Sequence, residues 1–269
     1  MEDTDAISDA PASAPMQAAG PTLSPAAKEW LETGKTVLIG LGIFLVLRIF
    51  LFQPFSIPSG SMEPNVMPGD YVIISKFSYG FSRFSIPLSP PLFHGRIFDR
   101  LPHRGDVVVF KLPRDNHTDY IKRLIGLPGD RIQVKEGVVW LNGKPLPRQE
   151  ISPGVELGPE GFTRPVERFR ETLPSGRSYV TNDYGPDGEV DNTDVFVVPP
   201  KHYFFMGDNR DNSADSRYPE SIGVGYVPEE NLVGKADVVL LSWKDGASIF
   251  KPWTWFLDLR PNRFLHFLK

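Results

Sequence analysis

The pattern of apolar and polar residues gives one long apolar run followed by many short apolar segments. The run extends from Thr36 to Phe52 and contains a single charge, at Arg48. As a helix rising about 1.5 Å per residue it would be roughly 25 Å long, close to the roughly 30 Å core of a bilayer. It has almost no polar face, and Gln53 and Pro54 follow it where a signal peptide would end in small residues. We predict an uncleaved transmembrane anchor over residues 36–52.

The residues before the run are predicted to form a disordered cytoplasmic tail over residues 1–35. Residues 1–27 are rich in Ala, Pro, Ser and acidic residues, and such a composition buries too little apolar surface to fold. Lys28 and Lys35 precede the run, whereas the first lysine after it is Lys76. The positive-inside rule therefore predicts a cytoplasmic N-terminus and an extracytoplasmic domain over residues 53–269.

The short apolar segments are typical of β-strands. Strands are predicted at residues 71–75, 106–110, 120–125, 131–134, 138–141, 178–181, 195–198, 203–206 and 236–242. Asn142-Gly143 predicts a type I′ hairpin turn. Residues 77–103 are predicted to be irregular. Residues 145–200, rich in Pro, Gly and charge, are predicted to form weaker hairpins within a β-lobe insertion at about 131–200. The fold class is therefore mostly β, with one N-terminal transmembrane helix.

Composition then limits the chemistry. The chain has no cysteine, which excludes disulfides, a cysteine nucleophile and thiolate metal sites. Its net charge of -4, without a basic stripe, gives no reason to expect nucleic acid binding. No histidine lies in a metal-binding spacing, so all five are predicted to be surface or packing residues. These are His94, His103, His117, His202 and His266.

Two segments together suggest nucleophilic catalysis. Ser61 lies in the loop Pro58-Ser-Gly-Ser-Met-Glu-Pro64, and a serine becomes a nucleophile only when a base removes its proton. Lys122 lies among Tyr120, Ile121 and Leu124, and desolvation there would lower its pKa from about 10.4. From these residues alone, an ordinary loop and an edge lysine that discourages aggregation remain open alternatives.

A third segment, residues 207–217, is dense in short polar side chains. It fails the EF-hand pattern, because starting at Asp208 puts Arg210 at position three and starting at Asp211 leaves no glycine at position six. The alternative is a rigid, hydrogen-bonded loop. In that loop Ser213 would orient the Lys122 amine, and Asp215 would pair with Arg217.

These segments, in this order, resemble the bacterial type I signal peptidases, also called leader peptidases. The resemblance covers roughly residues 36–240. It is carried by the anchor, Pro58–Pro64, Arg104–Phe110, Asp119–Arg123 with Gly126–Asp130, and Gly207–Arg217. A combination of several ordered motifs is far more specific than one Ser-Gly-Ser.

The resemblance implies that Ser61 is the acylating nucleophile and Lys122 its general base. It implies that Ser59 contributes to the oxyanion hole beside the Ser61 N–H. It implies that Ser213 positions the lysine. It implies structural support from Arg123, Asp208, Asp215 and Arg217. The implied walls of the pockets for small P1 and P3 side chains are Met62, Val66, Tyr120 and Ile121. Val66 stands where a leucine is common in the family.

The implied activity is removal of signal peptides from exported preproteins after Ala-x-Ala, through an acyl-enzyme and without metal or cofactor. The implied location is the bacterial inner (plasma) membrane, with membrane lipid and the protein translocation machinery as further candidate partners. Aromatic and basic residues near the C-terminus would either rest at the lipid headgroups or close the core. They are Phe250, Lys251, Trp253, Trp255, Phe256, Arg260, Arg263, Phe264 and Phe267.

Competing hypotheses are a specialised Ser/Lys peptidase and a membrane-anchored binding protein with a decayed site. A self-cleaving repressor needs a DNA-binding helical domain, which residues 1–35 do not supply. Retention of Ser61, Lys122 and Ser213 together argues against decay. A conjugal pilin processor remains open, because its motifs overlap with those above.

Overall fold

The computed structural model describes residues 24–157, 163–244 and 253–268, and most of its regular structure is β. The chain divides into an N-terminal unit that ends at Phe44 and a second unit from Leu45 onward. The helices are α1 (Pro25–Phe50) and α2 (Thr254–Leu257), and the strands are β1 (Phe52–Ser56), β2 (Asp70–Ser75), β3 (Val107–Lys111), β4 (Asp119–Gly126), β5 (Arg131–Lys135), β6 (Val138–Leu141), β7 (Lys144–Pro145), β8 (Arg148–Leu157), β9 (Thr163–Thr172), β10 (Ser178–Asp183), β11 (Phe196–Val197), β12 (His202–Met206), β13 (Val227–Pro228), β14 (Leu232–Ser242) and β15 (His266–Phe267).

Helix α1 is longer than the apolar run predicts. It begins at Pro25, because the Ser24 hydroxyl accepts a hydrogen bond from the Ala27 N–H at 3.2 Å and proline suits the first helical position. It ends at Phe50, since Phe52 already belongs to β1. The predicted disordered tail is therefore wrong for residues 25–35, where good helix formers outweigh the polar composition. Residues 1–23 lie outside the described part of the chain.

Helix α1 is suited to crossing a bilayer. Its mean hydropathy is 1.8 over the most apolar window, and none of its residues is buried. At 26 residues it is about 39 Å long, which exceeds a bilayer core of roughly 30 Å. Within residues 24–157, 163–244 and 253–268, no other helix is long and apolar enough to span.

The main sheet has the antiparallel order β1-β2-β14-β3-β4-β12-β13, with β15 also paired to β14. The register of β3 against β4 sets Val108 opposite Lys122 and Val107 opposite Arg123. Apolar side chains pack against this sheet in separate clusters. The cluster that we call the nucleophile-side cluster contains Ile57, Met62, Val66, Val72, Ile74, Phe84, Val107, Val109, Ile121, Val233, Ala236 and Val239.

Two smaller sheets have the orders β11-β5-β6-β7 and β10-β9-β8. Each of the nine predicted strands is confirmed within a few residues at its ends. The β6–β7 turn at Asn142-Gly143 has positive φ at both residues, as the predicted type I′ turn requires. The ten-residue strands β8 and β9 were not predicted, because Pro153, Gly154 and frequent charges interrupt the apolar pattern, and the register shifts between Ile151 and Gly154.

Residues 77–103 are irregular, as predicted, apart from a 3-10 turn at Arg83–Ser85 and a bridge between Phe81 and Ile97. One buried guanidinium fixes the segment. Arg96 donates hydrogen bonds to the carbonyl oxygens of Tyr79 and Gly80, at 3.0 and 2.7 Å, and to two carbonyls just before and within β14.

The described C-terminal aromatic residues remain exposed. They are Trp253, Trp255, Phe256, Phe264 and Phe267. Arg263 is instead buried and forms two hydrogen bonds to Asp70, at 2.9 and 2.6 Å, so for this residue the second alternative, closing the core, holds. A buried guanidinium needs such a partner. Phe250 and Lys251 lie outside the described residues.

Candidate active site

Ser61 lies in a loop between β1 and β2 that is closed at its neck. The Ile57 N–H donates to the Asp70 carbonyl and the Gly69 N–H donates to the Ile57 carbonyl, each at 2.9 Å. The Asp70 carboxylate also accepts the Met67 N–H at 2.8 Å. These bonds hold the two ends of the loop together. Two of its side chains, Met62 and Val66, pack into the nucleophile-side cluster on the main sheet.

The structure brings Ser61 and Lys122 together. The Ser61 Oγ and Lys122 Nζ atoms are 2.6 Å apart, and Nζ also donates to the Ile121 carbonyl at 3.1 Å. The side chains come from a loop and from the middle of β4, and both residues are buried. A serine hydroxyl in contact with a buried amine can lose its proton when that amine is neutral.

The environment of Lys122 favours the neutral amine. Burial lowers the pKa of Lys122 to about 8, and the Arg217 guanidinium acts in the same direction, while the Asp215 and Asp208 carboxylates oppose the shift. Desolvation dominates, because the low-dielectric surroundings penalise the ammonium ion more than two nearby carboxylates stabilise it.

Two hydrogen-bond donors lie beside the Ser61 hydroxyl. The Ser59 Oγ is 3.5 Å from the Ser61 Oγ. The Ser61 N–H donates to no acceptor within the described ranges, whereas the Ser61 carbonyl accepts the Asn209 N–H at 3.1 Å. The arrangement leaves a hydroxyl and an amide available to an oxygen that develops negative charge next to Ser61.

The segment 207–217 packs directly against the Ser61 loop. A side chain at Gly207 would place its Cβ 2.6 Å from the Ser61 carbonyl oxygen, so only glycine allows this approach. Asp215 accepts the Gly207 N–H at 2.9 Å and forms two bonds of 2.9 Å with the Arg217 guanidinium. Although burial opposes it, Arg217 holds the pKa of Asp215 below its usual value. The predicted ion pair is present.

Ser213 does not make the contact that the sequence predicts. Its Oγ is buried and hydrogen-bonds to no group in the described chain, while the Lys122 amine bonds to Ser61 and Ile121 instead. Ser213 packs beside Gly207, where a Cβ would lie 2.3 Å from its Oγ. The predicted hydrogen bond from Ser213 to Lys122 is therefore absent, because close backbone packing decides where the hydroxyl lies.

Arg123 on β4 and Asp208 in the segment 207–217 form a buried pair beside the site. Their side chains form two hydrogen bonds of 2.7 Å and are both buried. The Arg123 guanidinium also lies 4.1 Å from the centroid of the Tyr179 ring, and Asp208 accepts the Asn65 amide at 2.8 Å. Arg123 thus links β4 to the segment 207–217, and Asp208 links that segment to the Ser61 loop.

Three of the four predicted pocket residues come together. Met62, Val66 and Ile121 belong to the nucleophile-side cluster, and Met62 and Val66 are fully buried. Tyr120 packs against a different cluster, although its ring centroid is 5.4 Å from the Lys122 Nζ. Met62, Val66 and Ile121 therefore share one apolar cluster, which Tyr120 does not join.

Sequence reasoning missed several polar residues of the site, because they lie far from the motifs or within them without an assigned role. They are Asn65, Glu156, Glu171, Tyr179, Asn209, Arg210 and Asn212. None of the five histidines hydrogen-bonds to Ser61 or Lys122. No described group of three or more histidine and acidic side chains is arranged to hold a metal ion.

A family model and known proteins whose sequences resemble this chain agree on one family. A family model described as "Signal peptidase, peptidase S26" matches residues 30–243. A protein of Rickettsia typhi named signal peptidase I is 44% identical over 210 residues, which cover 75% of this chain and 76% of that protein. A signal peptidase I of Rickettsia canadensis is 43% identical over 226 residues, covering 81% of each. A crystal structure of a signal peptidase I from Enterococcus faecalis V583 covers 51% of this chain and 97% of its own at 26% identity, with a TM-score of 0.30.

Proposed function

The chain belongs to the signal peptidase I family of S26 peptidases, and we propose that Ser61 and Lys122 are its catalytic pair. It is a peptidase that removes signal peptides, and its apolar N-terminal helix fits a membrane-anchored enzyme. The observation that carries the proposed pair is the 2.6 Å contact between the Ser61 Oγ and a buried Lys122 Nζ. The comparisons do not favour a pilin processor, a repressor or a binding protein.

The proposed reaction proceeds through an acyl-enzyme. Neutral Lys122 accepts the Ser61 proton as Oγ attacks the scissile carbonyl, and it then delivers that proton to the leaving amine. The Ser61 N–H and the Ser59 hydroxyl stabilise the tetrahedral oxyanion, each such donor contributing about 3 kcal/mol. Lys122 next takes a proton from the water that attacks the ester carbonyl and returns it to the Ser61 Oγ as the ester bond breaks, which restores both side chains. Each step needs only groups that lie next to Ser61.

The proposed substrate is an exported preprotein with small residues before the cleaved bond, as in Ala-x-Ala. The positions of Met62 and Ile121 support this, because these apolar residues directly follow Ser61 and directly precede Lys122 in the chain and pack together with Val66. We place Arg123, Asp208, Asp215 and Arg217 in structural support of the site rather than in contact with substrate. The proposed location is the inner membrane, with the peptidase domain on the extracytoplasmic side.

Cleavage of an Ala-x-Ala preprotein in detergent tests the pair. The wild type is compared with Ser61→Ala and Lys122→Met, and we expect both variants to lose at least about 10³-fold in rate, because each lacks one member of a coupled unit. Lys76→Met is a matched control: Lys76 is also buried, but its Nζ donates to the Ser85 carbonyl and meets no serine hydroxyl. The control should cleave at close to the wild-type rate.

Persistent cleavage by Lys122→Met would assign the base elsewhere, and persistent cleavage by Ser61→Ala would overturn the proposed nucleophile. If the wild type did not cleave an Ala-x-Ala substrate but cleaved another preprotein, the pair would stand and the substrate specificity would be wrong.

A further inference from the structure

The β8–β9 hairpin reaches the Ser61 loop through a buried carboxylate that the proposed reaction does not use. Glu156 lies near the end of β8. Its Oε1 accepts hydrogen bonds from the Asn209 Nδ2 at 3.0 Å and from the Asn212 Nδ2 at 2.6 Å, and its Oε2 accepts one from the Tyr184 hydroxyl. Three donors therefore converge on one group, and a carboxylate can accept all of them.

Asn209 connects Glu156 to the loop that contains Ser61. Its Nδ2 also donates to the Gly60 carbonyl at 3.2 Å, and its backbone N–H donates to the Ser61 carbonyl at 3.1 Å. The Oδ1 of Asn209 is buried and accepts no hydrogen bond within the described chain. The orientation of the amide therefore depends on the two acceptors of Nδ2, which are Glu156 and Gly60.

The Gly60 carbonyl and the Ser61 N–H belong to one planar peptide unit. A group that fixes the direction of the carbonyl therefore also fixes the direction of the N–H on its opposite side. We propose that Glu156 is a positioning residue that acts through Asn209 to aim the Ser61 N–H at the oxyanion. This inference depends on the proposed function of Ser61.

The surroundings of Glu156 are consistent with a rigid support. A Cβ added at Gly60 would lie 3.5 Å from the Glu156 Oε1, so the carboxylate packs against the peptide unit that it is proposed to orient. Burial and the bond to Glu156 raise the pKa of Tyr184 to about 12, so the phenol remains a donor over the working range of a Lys122 base. The Tyr184 hydroxyl therefore keeps its proton for the bond to Glu156 throughout that range.

The test measures kcat and KM for preprotein cleavage by the full-length chain in detergent. Glu156→Ala should lower kcat about 10- to 100-fold with KM nearly unchanged, because an oxyanion donor acts mainly in the transition state. Glu156→Gln should recover to within about threefold of the wild type, since its Oε1 can accept both asparagine amides and its Nε2 can donate to the Tyr184 oxygen. Glu150→Ala, an exposed position on the same strand, is the matched control.

A double-mutant cycle separates positioning from simple support of the fold. Glu156→Ala and Asn209→Ala should lower kcat by similar factors, and the double variant should lose little more, because both act through one contact. Thermal unfolding of each variant gives the folded fraction by which kcat is corrected. If Glu156→Ala does not fold, Asn209→Ala and Glu156→Gln carry the test.

An unchanged kcat in Glu156→Ala, an equal loss in the Gln and Ala variants, or additive losses in the double variant would overturn the inference. Failure of the proposed function gives a different result from failure of this inference alone. If Ser61→Ala still cleaves, both proposals are overturned. Failure of this inference alone leaves Ser61→Ala inactive while Glu156→Ala remains active.

Discussion

Lys122 and Lys76 differ in what their amines contact, and this difference separates a base from a structural lysine. Both are buried, and desolvation lowers the pKa of each to about 8. The Lys122 Nζ contacts the Ser61 hydroxyl, whereas the Lys76 Nζ contacts the Ser85 carbonyl, which has no proton to give. A lowered pKa is therefore not enough to identify a general base, and the partner of the amine decides.

At the residue scale, the lowered pKa of Lys122 predicts the pH dependence of cleavage. Protonated Lys122 cannot accept the Ser61 proton, so kcat/KM should fall about tenfold per pH unit below the pKa and level off above it. With the pKa at about 8, the half-maximal value is expected near that pH. The measurement is kcat/KM for preprotein cleavage from pH 6 to pH 10.

Lys76→Met is the control for this profile and should leave the midpoint in place. A midpoint below pH 7 would indicate a histidine base, and a midpoint near the ordinary lysine value of about 10.4 would show that burial does not tune Lys122.

The sequence predicted the residues of the site better than their contacts. The motifs that carry the family resemblance predicted Ser61 and Lys122, which lie in contact, and the polar segment 207–217 predicted the Asp215–Arg217 pair. They did not predict the unbonded hydroxyl of Ser213, which depends on how closely Gly207 packs. Nor did they identify Glu156, since its contacts with Asn209 and Asn212 arise from tertiary structure and leave no local pattern.

At the scale of elements, the three-stranded sheet of β8, β9 and β10 supports the site as much as the main sheet does. The Val180 carbonyl accepts the Asn65 amide at 2.7 Å. The Asn182 backbone bonds to Asp208 and Arg210, each at 2.9 Å. These contacts tie β10 to both the Ser61 loop and the segment 207–217, so the hairpins hold the two segments that carry the proposed site.

The buried pair between Glu171 on β9 and Arg210 provides a test of this support. Glu171→Gln leaves the Arg210 guanidinium buried without its countercharge, and breaking a buried pair in this way costs about 3–5 kcal/mol. The free energy of unfolding in denaturant is the quantity to measure. Glu167→Gln, at an exposed position on the same strand, should change it by less than about 0.5 kcal/mol.

A loss of less than about 1 kcal/mol in Glu171→Gln would mean that the buried pair contributes little and that backbone bonds carry the support. The boundaries of β8 and β9 could not be predicted, because charged and exposed side chains are frequent in both strands and Pro153, Gly154 and Pro165 interrupt the apolar pattern. Strands with an apolar face, such as β3, β4 and β12, were predicted because burial imposes a readable pattern.

At the scale of the whole molecule, the absence of cysteine makes the proposed topology directly testable. Single cysteines are introduced at Thr4 and at Glu150, and intact spheroplasts are treated with a maleimide that does not cross membranes. We expect Glu150→Cys to be labelled at once and Thr4→Cys only after permeabilisation, because Lys28 and Lys35 at the N-terminal end of α1 favour a cytoplasmic N-terminus. The unmodified chain, which has no cysteine, is the control for nonspecific labelling. The reverse labelling pattern would invert the proposed topology.

The two hydrogen bonds from Arg263 to Asp70 have a consequence for protein synthesis. Arg263 also donates to the Asn65 carbonyl at 2.9 Å, so the loop that carries Ser61 is secured by a residue far downstream in the chain. A ribosome translates the nucleophile and its lysine long before it adds residue 263. Incomplete chains therefore lack these bonds, and the loop that carries Ser61 gains its full set of contacts only when residue 263 has been added.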